Sequence, residues 1–559
     1  MDTVDHISKH FPMPSFRKNQ KETIDKIEEA ITSDYKVISL QAPTGSGKSA
    51  INFSVCGFVE KSYYTTPLHI LLDQVVRDKF LLNLFKIVRG RDWYICLEKC
   101  SDCIRYEHCN EKNTGVARNC EHTCDIGPCQ LQKEYKCGKS CFYKQARDDA
   151  IESQTALMSL AYNFTVKVTK GMWQKRDMLI IDEAHGVEKW ILNFITLSRV
   201  FQDIKHADAP TTFDESLNLI NKEVDIAASE VADLEEQQKS LGGLRPQDLK
   251  KYKRLVRFID IVHVVTHDLE SGKQWVHNVT KLPDNKVRVE LKPLDISVWG
   301  KGLLLGKANR FLFSSGYIPR NMYSRIGFTE DEVAWIDVPS TFPVENRPII
   351  GSMVGYISHK TMDTLRPRII EVVNKILDKE KDIRGFIHCN SYKLANDILG
   401  NLTPENKPRI SYNTSENRSY ALENWLNNGK SNSVFVGVNM SEGIDLKDDL
   451  SRFQIIIKAP FPDMSDSYVK ARMGLSDGKP WYDEQALMAI LQAYGRCVRS
   501  ESDWARTYIL DWNIMRLINT YKNELPYWFV EAFKAAKSET FREGGINVKT
   551  MPQTTYVEL

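Results

Sequence analysis

A glycine-rich loop near the start of the chain has the residue types and spacing of a phosphate-binding site. Residues 42–49 read APTGSGKS, which fits the phosphate-loop pattern except that Ala replaces the first Gly. In such a loop the glycines let backbone N–H groups turn onto phosphates, the lysine adds a positive charge, and the last hydroxyl reaches Mg²⁺. We therefore predict phosphate binding by Gly45, Ser46, Gly47, Lys48 and Ser49.

Two adjacent carboxylates follow an apolar run farther along the chain. Residues 178–181 have the continuous apolar character of a buried parallel strand, and Asp182-Glu183-Ala184-His185 comes directly after them. The carboxyl end of such a strand faces the ligand crevice of an α/β sheet. We expect Asp182 to hold Mg²⁺ and Glu183 to polarise the water that attacks the terminal phosphate of a nucleotide.

A basic segment in the last fifth of the chain reads Gln-Ala-Tyr-Gly-Arg-Cys-Val-Arg, residues 492–499. If this segment is helical, Gln492, Arg496 and Arg499 step by four and three and lie on one face. Two guanidiniums on one face are suited to neutralising charge on a triphosphate, as arginine fingers do. A glycine inside a helix is unfavourable, so Gly495 indicates that something approaches the backbone closely.

Cysteine is concentrated in one segment, because nine of the 12 cysteines lie between Cys96 and Cys141. The chain is long, has ample apolar residues and starts without the basic-then-apolar pattern of a secretion signal. These features favour reduced thiols that hold a metal or cluster over disulfides. Cys100, Cys103, Cys109 and Cys120 have two possible roles from the sequence. They either form a second site that holds Zn²⁺ or are unliganded thiols.

Length and composition indicate several folded domains. At 559 residues, 42% hydrophobic and 26% charged, the chain is long enough for about three to five domains, and its net charge of +2 is no sign of a polycation. Apolar residues recur at steps of three and four from Leu217 to Leu234 and again from Leu249 to His263, which predicts an antiparallel helical hairpin inserted in the first α/β domain. Apolar runs alternate with helical stretches again from about Arg347, which predicts a second parallel α/β domain.

Ordered motifs across nearly the whole chain resemble those of superfamily-two helicases of the XPD and DinG type. They are Phe16-Arg17-x-x-Gln20, the loop APTGSGKS, Tyr64-Thr65-Thr66-Pro67-Leu68-x-x-Leu71-x-x-Gln74, the DEAH sequence, Ser314-Ser315-Gly316, Ser340-Thr341-Phe342, Glu442-Gly443-Ile444-Asp445 and QAYGRCVR. The cysteine-bearing segment and the helical hairpin also fall where that family has its two insertions.

The resemblance implies an α/β fold of two RecA-like parallel-sheet motor domains, with a cysteine-rich iron-sulfur insertion and a helical arch insertion in the first. The implied domain bounds are 1–88, 147–203 and 276–343 for the first motor domain, 89–146 for the iron-sulfur domain, 204–275 for the arch and 344–559 for the second motor domain. The implied activity is ATP-dependent DNA unwinding with 5′→3′ movement on single-stranded DNA, in repair or replication.

The resemblance also implies roles for particular residues. Arg17 and Gln20 would contact the adenine side of ATP, Asp445 would belong to the nucleotide site, and His185 with Gln492 would sense the terminal phosphate. A four-iron four-sulfur (4Fe-4S) cluster would be held by Cys96, Cys129, Cys137 and Cys141, with Cys124 as the first substitute. The implied partners are single-stranded or forked DNA, with no membrane, and we expect a monomer in the cytoplasm or, in a eukaryote, the nucleus.

Three departures from the family pattern qualify these expectations. Tyr317 stands where the family usually has Thr, Trp93 stands where it usually has Asn, and we find no exonuclease-like domain before residue 1, which argues against a built-in nuclease. Two other functions stay open. One is an ATPase that remodels RNA or protein–nucleic-acid complexes, and the other is a cysteine-rich DNA-binding scaffold with an inactive motor.

Overall fold

The computed structural model describes residues 5–67, 72–73, 75, 84–97, 123–131, 141–168, 172–202, 204–240, 244–283, 285–438, 440 and 446–533. The strands β1 to β16 are Val37–Gln41, Ser62–Thr66, Lys86–Ile87, Thr155–Ser159, Arg176–Asp182, Leu197–Phe201, Trp275–Leu282, Lys286–Pro293, Ala308–Ser315, Val333–Asp337, Ile349–Gly355, Gly385–Cys389, Ile410–Tyr412, Val434–Val438, Phe453–Ile456 and Arg506–Asp511. The helices α1 to α16 are Gln20–Thr32, Lys48–Phe58, Pro128–Leu131, Phe142–Glu152, Leu160–Thr165, Val187–Ile195, Phe213–Ser240, Pro246–Glu270, Ser297–Leu305, Met322–Arg325, Met362–Lys379, Tyr392–Gly400, Arg418–Asn428, Ser467–Met473, Gly478–Tyr494 and Trp512–Thr520.

The chain divides into two compact units, and the division does not follow the sequence strictly. The first unit contains Met1–Gln41, Gly47–Val338 and Pro462–Tyr482, and the second contains Ala42–Ser46, Pro339–Phe461 and Asp483–Leu559. The segment Pro462–Tyr482 packs within the first unit because its buried side chains Tyr468, Val469 and Trp481 contact Leu192 and Leu294. The domain bounds expected from the sequence stay predictions.

The first unit is built on a parallel sheet that has seven strands in the described ranges, in the order β10-β1-β9-β5-β2-β4-β3. Strands β1, β2 and β4 are buried along their whole length, as is typical of strands in a parallel sheet. Strand β9 lies between β1 and β5: Ser314 pairs with Leu40 on one side and with Asp182 on the other. The loop after β1 and the acidic pair after β5 therefore leave the same edge of the sheet.

A helical hairpin is inserted in the first unit, as the sequence predicts. Helices α7 and α8 pack against each other through Ile220, Ala227, Leu234, Leu255 and Val262, which are all at most 7% exposed. The hairpin stands on a feature that we did not predict, the antiparallel sheet β6-β8-β7. Strand β8 alternates buried and half-buried residues, which is the expected pattern for a sheet that buries one face.

The second unit contains a second parallel sheet, with six strands in the described part of the chain, in the order β11-β16-β15-β12-β14-β13. Its central strands β12, β14 and β15 are buried throughout. The prediction of an α/β fold with two parallel-sheet domains is therefore confirmed. None of the helices in the described ranges is both long and apolar enough to cross a membrane.

Candidate functional site

The phosphate loop has the backbone geometry that its glycines predict. Gly45 and Gly47 both have φ of +83°, a left-handed conformation that side chains other than glycine rarely adopt. Helix α2 begins at Lys48, directly after Gly47. A Cβ added at Gly47 would lie 2.2 Å from Nε2 of Gln20, so the close approach of Gln20 also requires a glycine.

Gln20 and Arg17 lie beside this loop. Gln20 is buried. Its Oε1 accepts a hydrogen bond from the Arg17 backbone N–H at 2.7 Å, and its Nε2 donates a hydrogen bond to the Gly47 carbonyl at 3.4 Å. The structure thus brings together two of the residues expected on the adenine side and the loop expected on the phosphate side.

The acidic pair lies at the end of β5 in a strained backbone. Glu183 has φ of +54°, which is uncommon for a residue with a side chain and marks strain of the kind found at functional sites. The Asp182 carboxylate accepts hydrogen bonds from the Glu183 backbone N–H at 3.0 Å and from the Tyr64 hydroxyl at 2.9 Å. Burial and the neighbouring Glu183 charge raise the pKa of Asp182 to about 6, against the opposing charge of Lys48. Two adjacent carboxylates at this edge are suited to binding a cation.

His185 connects the acidic pair to β9. Its Nδ1 lies 3.0 Å from Oγ of Ser315 and 3.4 Å from Oε2 of Glu183. Ser315 is the last residue of β9 and belongs to the Ser-Ser-Gly motif noted in the sequence. A short polar chain therefore runs along the edge of the sheet from Glu183 to Ser315.

The arginine segment departs from the expected single helix. Helix α15 ends at Tyr494, so Gln492 is helical whereas Arg496 and Arg499 lie in the turn and loop that follow. The prediction of one continuous helical face was wrong because tertiary hydrogen bonds hold the segment after Gly495 outside the helix. The Arg496 guanidinium nevertheless donates to Oε1 of Gln492 at 3.0 Å.

Gly495 is a point of close approach, as its position in the sequence indicates. A Cβ added there would lie 2.9 Å from Oγ1 of Thr44, a residue of the same compact unit. A Cβ added at Gly45 would likewise lie 2.6 Å from the Arg499 carbonyl oxygen. Both glycines are needed for the backbone segments to pack this closely.

Asp503, which sequence reasoning missed, holds the arginine segment in place. Asp503 is 1% exposed. Its Oδ2 accepts hydrogen bonds from the backbone N–H of Arg499 at 3.0 Å and from the backbone N–H of Asp448 at 3.2 Å. Its Oδ1 accepts Nη1 of Arg452 at 2.6 Å. Only its place four residues after Arg499 distinguishes it in the sequence, because nothing local shows that this carboxylate is buried.

Three cysteines of the cysteine-rich segment converge. Hydrogen bonding to the thiols of Cys141 and Cys96 raises the pKa of Cys124, so the three sulfurs are neighbours. A Cβ added at Gly127 would lie 2.9 Å from the Cys96 sulfur. Cys129 is half-buried on α3, and its sulfur accepts a weak hydrogen bond from Gln130 at 3.7 Å. Although these three thiols are neighbours, no group of three or more His, Cys, Asp or Glu side chains among the residues that the structure describes has the arrangement that would hold a metal ion.

Several predicted site residues lie outside the described ranges: Asp445, Cys137, Cys100, Cys103, Cys109 and Cys120. The aromatic residues near the cysteines pack the small segment around them. Tyr94 is 4% exposed and lies 5.8 Å from the Tyr143 ring, while the Arg89 guanidinium lies 5.0 Å from the Trp93 ring.

Two segments of the chain match family models, and nearly the whole chain resembles solved structures. Residues 374–532 match the family model described as helicase C-terminal domain, and residues 13–208 match the one described as type III restriction enzyme, res subunit. The solved structures that resemble the chain include an XPD helicase, with a TM-score of 0.58 and 16% identity over 91% of this chain and 98% of that one. Another is Xpd4 from S. tokodaii, with a TM-score of 0.53 and 14% identity over 90% of this chain and 98% of that one.

Two of the following three curated relatives are named as ATP-dependent DNA helicases. The ATP-dependent DNA helicase XPD of Sulfolobus acidocaldarius is 20% identical over 89% of this chain and 96% of its own length. The ATP-dependent DNA helicase DinG of Photobacterium profundum is 24% identical over 45% of this chain and 38% of its own length. The Fanconi anemia group J protein homolog of Gallus gallus is 36% identical over 16% of this chain, which spans only 8% of that protein.

The chain thus contains two parallel-sheet units, and one of its segments matches a helicase C-terminal domain. Its sequence is homologous to the ATP-dependent DNA helicases XPD and DinG.

Proposed function

We propose that this chain is an ATP-driven translocase and helicase that acts on single-stranded or forked DNA. The observation that carries the proposal is the pairing of β9 with both β1 and β5. It places the phosphate loop and Asp182-Glu183 on the same edge of one sheet, separated by a single strand. That arrangement is suited to binding a nucleoside triphosphate and activating a water beside its terminal phosphate.

The phosphate loop, the acidic pair and the residues beside them supply binding and orientation. When bound, Mg²⁺ neutralises charge on the phosphate oxygens. Lys48 and the backbone N–H groups of Gly45, Ser46 and Gly47 hold the phosphates, and the hydroxyl of Ser49 with the carboxylate of Asp182 holds the cation. Glu183 accepts the proton of the attacking water, and Gln20 with Arg17 contacts the base.

The arginine segment, residues 492–499, supplies positive charge. We assign Arg496 and Arg499 to the charge that develops on the terminal phosphate, and Asp445 to the nucleotide site. Gln492 and His185 sense whether that phosphate is present. The hydrogen bond between Arg496 and Gln492 supports a shared role, because it holds one guanidinium in a defined orientation.

The converging thiols support a 4Fe-4S cluster. The donor set fits, because cysteine thiolates are the usual ligands of such clusters and Cys96, Cys124 and Cys141 belong to one packed group of side chains. We propose Cys96, Cys124 and Cys141 as three ligands, with Cys137 as the fourth. Cys129, favoured from the sequence, becomes the alternative to Cys124 because Cys124 is the cysteine that contacts both flanking ligands. A separate Zn²⁺ site at Cys100, Cys103, Cys109 and Cys120 stays a proposal.

The remaining proposals concern DNA and the cell. The chain moves 5′→3′ along single-stranded DNA, contacts mainly phosphates and therefore has little sequence preference. It acts as a monomer, without a membrane, in DNA repair or replication, in the cytoplasm or the nucleus, where thiols stay reduced.

Strand-displacement assays test the proposal. Forked DNA with a 5′ overhang should be unwound in an ATP-dependent manner, whereas DNA with only a 3′ overhang should not. Unwinding of RNA duplexes alone would favour the remodelling ATPase, and DNA binding that Lys48→Ala leaves unchanged, without any DNA-stimulated hydrolysis, would favour an inactive scaffold.

A further inference from the structure

Tyr64 reaches the acidic pair from a neighbouring strand. Tyr64 lies on β2, which pairs in parallel with β5, and it is 0% exposed. Its hydroxyl donates a hydrogen bond to Oδ2 of Asp182 at 2.9 Å.

The Tyr64 ring is fixed by residues of α2, the helix that follows the phosphate loop. The ring of Phe53 stacks on it with centroids 4.6 Å apart and an angle of 10° between the planes. The side-chain amide of Asn52, which is also 0% exposed, donates to the Tyr64 hydroxyl at 3.4 Å. Asn52 lies four residues after Lys48 and hence one helical turn along the same face.

We propose that Tyr64 is a positioning residue for Asp182, through a buried relay that runs from Asn52 through Tyr64 to the carboxylate. The inference rests on the proposed function. With Oδ2 held by Tyr64 and Oδ1 held by the Glu183 N–H, the plane of the carboxylate is fixed before any cation binds. Preorganised ligands bind a cation more tightly, because little ordering remains to be done on binding.

The relay also connects the cation site to another motif. Strand β2 continues from Tyr64 into Thr65 and Thr66, which belong to the Tyr64-Thr65-Thr66-Pro67-Leu68 motif noted in the sequence. Any displacement of β2 along its axis moves the Tyr64 hydroxyl relative to Asp182. The position of β2 therefore sets how well Asp182 is aligned.

The chain offers a matched pair of variants. Tyr64→Phe removes the hydroxyl and keeps the stacked ring. Tyr63→Phe removes the adjacent buried hydroxyl, which donates to the Gln174 carbonyl at 2.8 Å and does not touch Asp182. Tyr63→Phe loses this one hydrogen bond, whereas Tyr64→Phe loses the bond to Asp182 and the longer bond from Asn52. The thermal unfolding of both variants therefore shows how much of any effect is structural.

The test measures Mg²⁺-dependent binding of a fluorescent, non-hydrolysable ATP analogue to the full chain. For Tyr64→Phe, the Mg²⁺ concentration that gives half-maximal binding should rise about tenfold, as expected for losing a hydrogen bond to a charged group. It should stay within about twofold of the wild type for Tyr63→Phe, and binding without Mg²⁺ should be equal in all three proteins.

Equal Mg²⁺ requirements in the two variants, or tighter Mg²⁺ binding by Tyr64→Phe, would overturn the assignment of Tyr64. Thermal unfolding of both variants checks that each is folded. A wild-type chain that binds the analogue equally well with and without Mg²⁺ would instead overturn the proposed nucleotide site itself, so the two failures are distinguishable.

Discussion

Nδ1 of His185 lies 3.0 Å from Oγ of Ser315, so the residue two positions after Glu183 is joined to the last residue of β9. Strand β9 pairs with β1 as well as with β5. A change around the acidic pair can therefore be transmitted to the segment that follows β9 through a single hydrogen bond.

Ser315→Ala should separate hydrolysis from strand separation. The variant keeps Lys48 and Glu183, so DNA-stimulated ATP hydrolysis should stay within about threefold of the wild type, while the unwinding rate should fall about tenfold, since one hydrogen bond is lost. The control is Ser314→Ala, because the Ser314 hydroxyl is buried and has no hydrogen-bond partner among the described residues. Parallel loss of both activities in Ser315→Ala would count against this role.

Asp503→Asn should destabilise the second unit and disturb the arginine segment. The buried carboxylate accepts hydrogen bonds from the Arg452 guanidinium and from the backbone N–H of Arg499. In the variant, the free energy of unfolding should therefore fall by about 3 kcal/mol, and the rate of ATP hydrolysis should fall with it. Asp449→Asn is the matched control, because Asp449 pairs with the same Arg452 but its side chain is 96% exposed. Urea unfolding of both variants is the measurement, and equal stabilities would refute the prediction.

His388 should make the second unit sensitive to acid. Burial and the charge of Arg496 lower the pKa of His388 to about 4, and Nε2 of His388 bonds to Gln454 at 3.0 Å. The unfolded chain then binds the extra proton between pH 6.5 and 4, so the free energy of unfolding falls as the pH falls through that range. Protonation of His388 in the unfolded chain lowers the free energy of unfolding by about 3 kcal/mol in total across this range.

The measurement for His388 compares urea unfolding of the wild type and His388→Asn at pH 7, 6, 5 and 4. The stability difference between the two proteins should change in favour of the variant as the pH falls. A difference that is independent of pH would show that His388 is not held neutral by its surroundings.

Cys124→Ser should lower the iron content of anaerobically purified protein more than Cys129→Ser does. Cys124 is the cysteine that contacts both Cys96 and Cys141, whereas Cys129 is half-buried on a short helix. The expected wild-type value is about four irons per chain with brown colour. Iron loss in Cys129→Ser alone would return Cys129 to the ligand set, and zinc as the only metal in the wild type would exclude the cluster.

Much of the site could be predicted from the sequence because its chemistry is local. The spacing of Gly45, Gly47 and Lys48 indicates the backbone conformation of the phosphate loop. The strand before Asp182 indicates which edge of the sheet Asp182 faces. Residues that act through distant contacts carry no such signal. Tyr64 looks like an ordinary strand residue, and the burial of Asp503 depends on Arg452, 51 residues away in the sequence.

The prediction of a helical face that carries Arg496 and Arg499 was wrong for a related reason. Local periodicity continued the helix past Gly495, but the Arg499 N–H bonds to Asp503 and the Arg496 carbonyl accepts the Leu446 N–H at 3.2 Å. The antiparallel sheet below the hairpin was missed because β6 is far in sequence from β7 and β8, on either side of α7 and α8.

ATP-dependent unwinding of forked DNA by the wild type, Lys48→Ala and Glu183→Gln tests the central claim most directly. The wild type should separate the strands and hydrolyse ATP faster when DNA is present, Lys48→Ala should do neither, and Glu183→Gln should bind ATP but hydrolyse it at least about a hundredfold more slowly. A wild type whose ATP hydrolysis does not respond to DNA and that unwinds no DNA fork would contradict the account.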